Sequence, residues 1–167
     1  MQKLILIIGA CLALLVAGCG SDDSSTTSSS SGEETAAKQA DPGKKKTKPT
    51  VTPPSGAPSK DLITKDLEEG TGAPAKAGDA VTVQYVGVNY KTGKEFDSSW
   101  SRSEPFTYNL GSGEVIPGWE KGIEGMKVGG RRELIIPPEL GYGTAGAPPA
   151  IPPNETLVFV VDLEAVE

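Results

Sequence analysis

All nine aromatic residues of this 167-residue chain lie between Tyr85 and Phe159. The segment at residues 20–59, by contrast, has no aromatic residue and almost no large aliphatic one, and Ser, Thr, Lys, Asp, Pro and Gly dominate it. Such a segment cannot bury enough apolar surface to offset the entropy that ordering would cost. We therefore predict a disordered linker at residues 19–59 and one folded domain with a single core at residues 60–167.

The first 18 residues have the three regions of a secretory signal. Lys3 supplies a positive charge, residues 4–16 form an almost unbroken apolar run, and small residues follow up to Cys19. The apolar run is too short to span a bilayer comfortably. Residues 16–19, Val-Ala-Gly-Cys, resemble a bacterial lipobox, which predicts that Cys19 is acylated and anchors an extracytoplasmic protein to a bacterial membrane. An ordinary signal peptide or a short membrane anchor is the alternative.

Four lysines are clustered at residues 44–48 of the predicted linker. No aromatic or amphipathic pattern accompanies them, so we interpret the cluster as part of a solvated tether. Contact with anionic lipid or with nucleic acid is the alternative.

The residue types that are missing exclude several kinds of chemistry. The chain has no histidine, and its two cysteines, Cys11 and Cys19, precede the predicted domain. Ser-His-Asp and Cys-His catalysis, the usual zinc sites and a disulfide within the domain are therefore excluded. No P-loop or GxGxxG motif follows a strand pattern, so we expect neither a metal nor a cofactor. Ten basic against seventeen acidic side chains in residues 60–167 argue against a nucleic-acid partner.

Alternating apolar residues predict strands near both ends of the domain. Residues 81–86 place Val81, Val83 and Tyr85 on one face, and residues 157–163 alternate in the same way. Shorter strands are expected at residues 62–67, 95–96, 106–110 and 132–136. No strand–helix–strand alternation supports a parallel sheet. We therefore predict the α+β class, with an antiparallel sheet of five to six strands wrapped around one short helix.

The short helix is predicted to begin at Pro117. Proline suits the first turn of a helix, because its φ is already helical and its missing N–H would have no partner there. Trp119, Ile123 and Met126 then recur at helical spacing, which predicts one apolar face packed on the sheet. The proline- and glycine-rich stretch at residues 141–154 is neither strand nor helix, and loops of this length usually border functional sites.

Several motifs follow one another along the domain in an order that is typical of one enzyme family. They are Tyr85-Val86-Gly87, Gly93–Ser99, Pro105-Phe106, Glu114–Trp119, Leu140–Gly143, Ile151–Pro153 and Thr156–Phe159. Any one of these motifs is weak evidence, but their joint order and spacing are specific. The domain resembles an FKBP-type peptidyl-prolyl cis-trans isomerase throughout its length, and the chain as a whole resembles a bacterial lipoprotein form of that family.

This resemblance implies an aromatic pocket that binds proline. Trp119 would form its floor, and its walls would be Tyr85, Phe96, Phe106, Val115, Ile116, Ile151 and Phe159. The backbone N–H of Ile116 and the hydroxyl of Tyr142 would bind carbonyl oxygens of the peptide. Asp97 would lie at the edge of the pocket, with Arg102 nearby. The alternative is that these aromatic residues only fill the core, and for Phe159 and Tyr108 the sequence does not separate the two.

By the same resemblance, the expected activity is cis-trans isomerisation of X-Pro bonds, which would assist the folding of extracytoplasmic proteins. The expected partners are proline-containing polypeptide clients and macrolide immunosuppressants, and the protein is expected to be a monomer. A non-catalytic proline-binding module and an extracytoplasmic chaperone are the alternative functions.

Overall fold

A computed structural model describes residues 38–39 and 46–167 of the chain. The predicted signal peptide, Cys19 and most of the predicted linker lie outside the described residues. Within the described part, no helix is long and apolar enough to cross a membrane.

In the part of the chain that the structure describes, seven strands form one sheet. Their bounds are β1 Lys38–Gln39, β2 Ile63–Glu69, β3 Ala80–Asn89, β4 Glu95–Ser98, β5 Phe106–Asn109, β6 Arg131–Ile136 and β7 Leu157–Val166. They are ordered β1-β2-β6-β7-β3-β4, and β5 also pairs with β3. The pairing of β1 with β2 is parallel and the other pairings are antiparallel. The predicted α+β class is therefore confirmed, and β1 is a strand that the sequence did not predict.

The two long strands β3 and β7 lie side by side at the centre of the sheet. Val83 is paired with Leu163, and Tyr85 with Val161. The residues that alternate in the sequence face a core covered by the helix at Pro117–Ile123, α2, and this is why the period of two is visible. The intervening residues of β3, Val86 and Val88, are also buried. Both faces of β3 are thus covered, although one solvated face is common in antiparallel sheets.

Among residues 46–167, three short helices connect the strands: α1 at Ser99–Arg102, α2 at Pro117–Ile123 and a 3₁₀ helix at Pro138–Leu140. The prediction of a helix that begins at Pro117 is confirmed. The prediction that Met126 extends its apolar face is wrong, because the helix ends at Ile123 and Gly125 has a φ of 77°. Met126 nevertheless reaches the core from the following turn and is 1% exposed.

Glycines allow α2 to lie close to β6. A Cβ atom on Gly122 would lie 2.8 Å from Cδ2 of Leu134, and one on Gly118 would overlap the side chain of Ile136. Glycine lowers helix propensity by about 1 kcal/mol relative to alanine. Close packing of Trp119 and Ile123 on the sheet offsets that loss, as is usual for short helices.

A second, smaller apolar cluster covers the opposite face of the sheet, which we call the outer face. Its members are Val86, Val88, Tyr90, Ile135 and Val158, with Val51 and Trp100 packed against them. Because Val51 precedes residue 60, this cluster joins the sheet to a segment for which the composition predicts a disordered linker.

Residues 46–58, which we call the strap, lie against the folded domain. Lys46 forms ion pairs with Glu68 and Asp162, and Arg131 donates a hydrogen bond to the carbonyl oxygen of Thr47 at 2.8 Å. The expected linker extended to residue 59, so the structure differs from that interpretation over the strap. The physical reason is that basic side chains and one valine find acidic and apolar partners far away in the sequence, which composition alone does not show.

Candidate functional site

An open cavity of about 480 Å³ lies between α2, the inner face of the sheet and the loops around it. Its lining residues are Tyr85, Phe96, Asp97, Phe106, Glu114, Val115, Ile116, Trp119, Tyr142 and Phe159. A cavity of this volume with mostly apolar and aromatic walls and a few polar groups is typical of a ligand site.

Trp119 lies at the bottom of the cavity and is 4% exposed. Its ring packs edge-to-face against Tyr85 and Phe159, with centroid separations of 5.0 and 5.3 Å. Phe96 meets Phe159 in the same way at 5.4 Å. Edge-to-face pairs are the arrangement that aromatic quadrupoles favour, so these rings hold one another in fixed orientations. The result is a rigid apolar floor and wall.

The start of α2 fixes Ile116 at the cavity. Ile116 is the N-terminal cap residue with extended φ and ψ, and its carbonyl oxygen accepts a hydrogen bond from the N–H of Trp119 at 2.9 Å. Its own N–H has no partner among residues 46–167. Because Ile116 precedes the first turn of α2, no carbonyl of the helix can pair with its N–H, which is a free donor beside the cavity.

Glu120 holds the loop that leads into α2. Its carboxylate accepts hydrogen bonds from the N–H groups of Gly111 and Gly113, and both glycines have positive φ. Glycine adopts this conformation without the steric cost that other residues meet. Sequence reasoning missed this role for Glu120, because a charged residue on the outer side of a helix is usually solvated.

Asp97, Arg102 and Tyr85 form a polar cluster at the rim. The Tyr85 hydroxyl donates to Asp97 Oδ2 at 2.5 Å and accepts from Arg102 Nη2 at 2.7 Å. Arg102 Nη1 also donates to Asp97 Oδ1, which closes the triangle. The guanidinium carbon lies 5.6 Å from the centroid of the Tyr85 ring, within cation–π range. The Asp97 carboxylate is thus fixed beside apolar rings.

These contacts shift the ionisation of the cluster. Burial and the hydrogen bond to Asp97 raise the pKa of Tyr85 to about 12. Partial burial opposes ionisation of Asp97, but hydrogen bonds from Tyr85 and Arg102 outweigh it and hold the pKa of that carboxyl below its usual range. At neutral pH the cavity rim therefore carries an ionised Asp97 and a neutral Tyr85.

Ser99, at the start of α1, ties the polar cluster of Asp97, Arg102 and Tyr85 to β3 through buried hydrogen bonds. Its hydroxyl accepts a hydrogen bond from the N–H of Tyr85 at 2.8 Å and donates to Oε1 of Gln84 at 2.5 Å. Both Ser99 and Gln84 are buried. These bonds join α1 to β3, so that the two elements that carry Arg102 and Tyr85 keep a fixed separation.

Tyr142 follows the 3₁₀ helix and stands at the mouth of the cavity. It is 41% exposed, and its hydroxyl makes no hydrogen bond within the described residues. Burial of part of the ring raises its pKa above the usual value for a phenol. The neutral hydroxyl is therefore a donor that is available to a ligand.

Not every residue predicted for the site lines the cavity. Ile151 is buried in the core, where it pairs with Ala147, and it does not reach the cavity surface. Arg102 acts on the cavity through Asp97 and Tyr85 rather than as a lining residue. Phe159 lines the cavity, whereas Tyr108 is a core residue stacked on Phe106 at 5.6 Å. Glu114 lines it as well and was not predicted, although it belongs to the motif that ends at Trp119.

The described residues contain no group of three or more His, Cys, Asp or Glu side chains that could hold a metal ion. The chemistry that this arrangement offers is apolar contact, two free hydrogen-bond donors and one fixed carboxylate.

Comparison with known proteins agrees with this geometry. Residues 72–164 match the family model described as FKBP-type peptidyl-prolyl cis-trans isomerase. The chain is 57% identical over 120 residues to the FK506-binding protein of Streptomyces anulatus, a match that covers 71% of this chain and 97% of that protein. It is 51% identical over 102 residues to the FK506-binding protein of Neisseria meningitidis serogroup A, covering 61% of this chain and 93% of that one.

Solved structures show the same fold. The crystal structure of AtFKBP13 matches with a TM-score of 0.60 and 39% identity, over 64% of this chain and 93% of that one. The crystal structure of FkpA from Escherichia coli matches with a TM-score of 0.58 and 47% identity, over 64% of this chain. The latter match spans about half, 48%, of the FkpA chain.

Proposed function

The chain belongs to the FKBP-type peptidyl-prolyl cis-trans isomerase family, and from this premise we propose that it assists the folding of extracytoplasmic proteins by rotating their X-Pro bonds in the cavity above Trp119. Isomerase activity follows from membership of the family. The aromatic cavity supports the finer proposal, because it combines a rigid apolar floor with free donors at its mouth.

The reaction needs no covalent step. Rotation about an X-Pro bond meets a barrier of ~18–20 kcal/mol, because amide resonance is lost as the bond twists. A planar amide is a strong dipole that water solvates well, whereas a twisted amide is less polar. A water-poor aromatic cavity therefore penalises the planar ground state more than the transition state. A ~10⁴-fold acceleration requires about 5.5 kcal/mol of such preference.

Three groups of this chain would hold the peptide during the rotation. The proline ring would lie on Trp119, while the N–H of Ile116 and the hydroxyl of Tyr142 bind carbonyl oxygens on either side of the rotating bond. The carboxylate of Asp97 would face the twisting amide at the rim. The Asp97 carboxylate does not have to reorganise during each catalytic cycle, because hydrogen bonds with Tyr85 and Arg102 already fix its position.

We expect Asp97→Val and Tyr142→Phe each to lower kcat/KM by about tenfold or more while changing the free energy of unfolding by roughly 1 kcal/mol or less. Both side chains are more than one-third exposed, so their removal leaves no buried cavity. A protease-free prolyl-peptide assay on the chain from residue 20 onward measures the effect. Tyr90→Phe, which removes a hydroxyl on the outer face, is the matched control. Full activity in both folded variants would contradict this assignment.

The same assay separates the alternatives. A non-catalytic proline-binding module would bind a prolyl peptide without accelerating its isomerisation. A chaperone would suppress aggregation even after Trp119 is replaced. Because isomerase activity follows from the family, we expect acceleration of isomerisation that FK506 abolishes. The FK506-binding relatives support the choice of that macrolide as the inhibitor.

We expect kcat/KM to be independent of pH between about pH 6 and 9, because the domain has no histidine or cysteine that would titrate in this range. The pKa of Asp97 is lowered, so the stabilisation it provides is present above the unfolded value of about 3.9 and is lost as the pH falls through the folded value. The pKa of Tyr85 is raised to about 12, so its contribution is complete below about pH 10 and is lost as the pH rises further. Between these limits the rim keeps an ionised Asp97 and a neutral Tyr85, so we expect activity to decline only in acid and in strong alkali.

Measurement of kcat/KM against pH with a non-ionising peptide tests this profile. The acid decline should disappear in Asp97→Asn, which retains a low constant rate. A bell-shaped profile centred near neutrality would contradict the assignment of the rim carboxylate.

We also propose that Cys19 anchors the protein to a bacterial membrane as a lipid-modified, monomeric, extracytoplasmic isomerase; Cys19 lies outside the described residues. Cys19→Ser should leave the domain folded and active but release it from membranes, because the anchor and the fold share no residues. Sedimentation after a salt wash measures this, and Cys11→Ser is the matched control that should stay bound. A Cys19→Ser variant that still sediments would contradict the anchor.

A further inference from the structure

Lys48 of the strap binds two elements that carry residues of the site. Its ammonium group lies 2.9 Å from both Oε1 and Oε2 of Glu95 on β4, and 3.3 Å from Oγ of Ser101 on α1. The Ser101 hydroxyl in turn donates to Glu95 Oε1 at 3.2 Å. The three side chains thus form a closed polar cluster that joins the strap, β4 and α1.

This cluster lies next to the catalytic rim in the sequence as well as in space. Ser101 immediately precedes Arg102, and Glu95 is two residues before Asp97 on the same strand. A bulge in β4 puts Glu95 opposite Val88, a member of the outer cluster, whereas Asp97 lies opposite Gly87. Glu95 therefore lies on the outer face and is linked to Asp97 through the backbone of the strand, just as Ser101 and Arg102 share one turn of helical backbone. A displacement of Ser101 or Glu95 would therefore move Arg102 or Asp97.

Helix α1, which carries Arg102, is too short to be stable without contacts to the rest of the domain. It has only four residues, ends at Ser103 in the left-handed conformation, and is far shorter than a helix that is stable in isolation. The Arg102 side chain is 48% exposed, so burial does not fix it either. Apart from the hydrogen bonds that Arg102 itself makes with Asp97 and Tyr85, its position depends on contacts that the rest of α1 makes.

Each preceding residue of α1 has such a contact. Ser99 is hydrogen-bonded to β3, Trp100 packs against the outer apolar cluster, and Ser101 is bound to Lys48 of the strap. Val51 of the strap packs against the same outer cluster as Trp100. Two of these three supports therefore involve the strap or the cluster that it covers.

We propose that the strap is a positioning element of the isomerase, in which Lys48 and Val51 hold α1 so that Arg102 keeps Asp97 and Tyr85 aligned at the cavity. This inference rests on the proposed function of that cavity. The strap can do this because it is fixed upstream of Lys48, where Lys46 pairs with Asp162 and Thr47 accepts a hydrogen bond from Arg131.

Lys48 and Glu95 are about two-fifths exposed, so their pair contributes only modestly by itself. We expect Lys48→Ala in the full chain to lower kcat/KM about two- to fivefold through kcat, with an unchanged melting temperature. Lys48→Arg, which keeps the charge and the donors, should restore the rate. Lys60→Ala, which removes an exposed lysine just outside the strap in the sequence, is the matched control and should have no effect.

A larger change removes the packing as well as the charge. Replacement of residues 46–51 by a Gly-Ser repeat of equal length should lower kcat/KM about tenfold. Replacement of residues 26–31 by the same repeat should not change it. If the chain with residues 46–51 replaced and the chain with residues 26–31 replaced have equal kcat/KM, the proposal is wrong.

A spectroscopic readout makes the test independent of turnover. The Nε–Hε signal of Arg102 in ¹⁵N NMR spectra should be sharp in the parent chain and should broaden or shift in Lys48→Ala, but not in Lys60→Ala. An unchanged Arg102 signal, or full activity in the folded Lys48→Ala chain, overturns the positioning role. An inactive parent chain would instead refute the proposed function, and the Arg102 signal would still decide whether the strap positions the rim.

Discussion

Trp119→Ala is expected to lower the free energy of unfolding by about 3–5 kcal/mol and to abolish most of the isomerase activity. The indole is 4% exposed and contacts the rings of Tyr85, Phe106 and Phe159, which would lose their common partner. Removal of a large buried ring costs both its transfer free energy and the cavity that it leaves. Here the same ring is also the proposed seat for proline, so the two kinds of damage coincide.

Two further variants separate stability from catalysis. Leu163→Ala removes a buried side chain of the same core that does not line the cavity, and it should cost about 2–5 kcal/mol while the folded fraction keeps its rate. Trp119→Phe retains an aromatic floor and should retain part of the activity. Denaturant unfolding and kcat/KM, measured at a temperature where each variant is folded, provide the comparison. Equal specific activity in Trp119→Ala and Leu163→Ala would show that Trp119 belongs to the core alone.

Local patterns were sufficient for the framework of this fold. The alternation in β3 and β7 is recognisable because alternate residues of both strands face the core under α2, although the opposite face of β3 is also covered. The start of α2 could be predicted because the fixed φ and missing N–H of Pro117 suit the first turn of a helix and not its interior. Such signals depend on neighbours in the sequence, so they survive without knowledge of the tertiary structure.

Structural features that depend on partners distant in the sequence could not be predicted from the sequence. Helix α1 has no helical period in its sequence, and the structure shows that Ser99 and Trp100 hold it by contacts with β3 and the outer cluster. The strap looked like linker because only Val51 in it is a large aliphatic residue. Its ordering comes from acidic partners such as Asp162, more than one hundred residues away along the chain.

The site itself was predicted from family resemblance rather than from spacing. Tyr85 and Asp97 are twelve residues apart and on different strands, and nothing in the interval indicates that their side chains meet. The structure brings them together because β3 and β4 pair with Gly87 opposite Asp97. The same resemblance implies Ile151 as a wall residue, whereas in the structure it is a buried core residue that is not among those lining the cavity.

Asp162→Ala is the second variant for which we expect a large effect, a loss of about 3 kcal/mol in the free energy of unfolding. Asp162 is buried on β7 and accepts two hydrogen bonds at 2.7 Å from Arg131, its cross-strand partner on β6. Lys46 of the strap lies 3.4 Å away on the same carboxylate. Removal of this group leaves the half-buried guanidinium and the strap ammonium without their common counter-ion.

We expect the loss of stability in Asp162→Ala to arise from the charges that are left unpaired. A second substitution distinguishes this cause from lost packing. Arg131→Met combined with Asp162→Ala should be less destabilising than the sum of the single variants, because no guanidinium is then left unpaired. Asp66→Ala, which breaks the more exposed pair with Arg132, is the matched control and should cost about 1 kcal/mol or less. Strict additivity of the two single variants would mean that Asp162 contributes by packing alone. Because Lys46 is one of the two anchors upstream of Lys48, Asp162→Ala should also lower kcat/KM to about the level of Lys48→Ala in the fraction that remains folded.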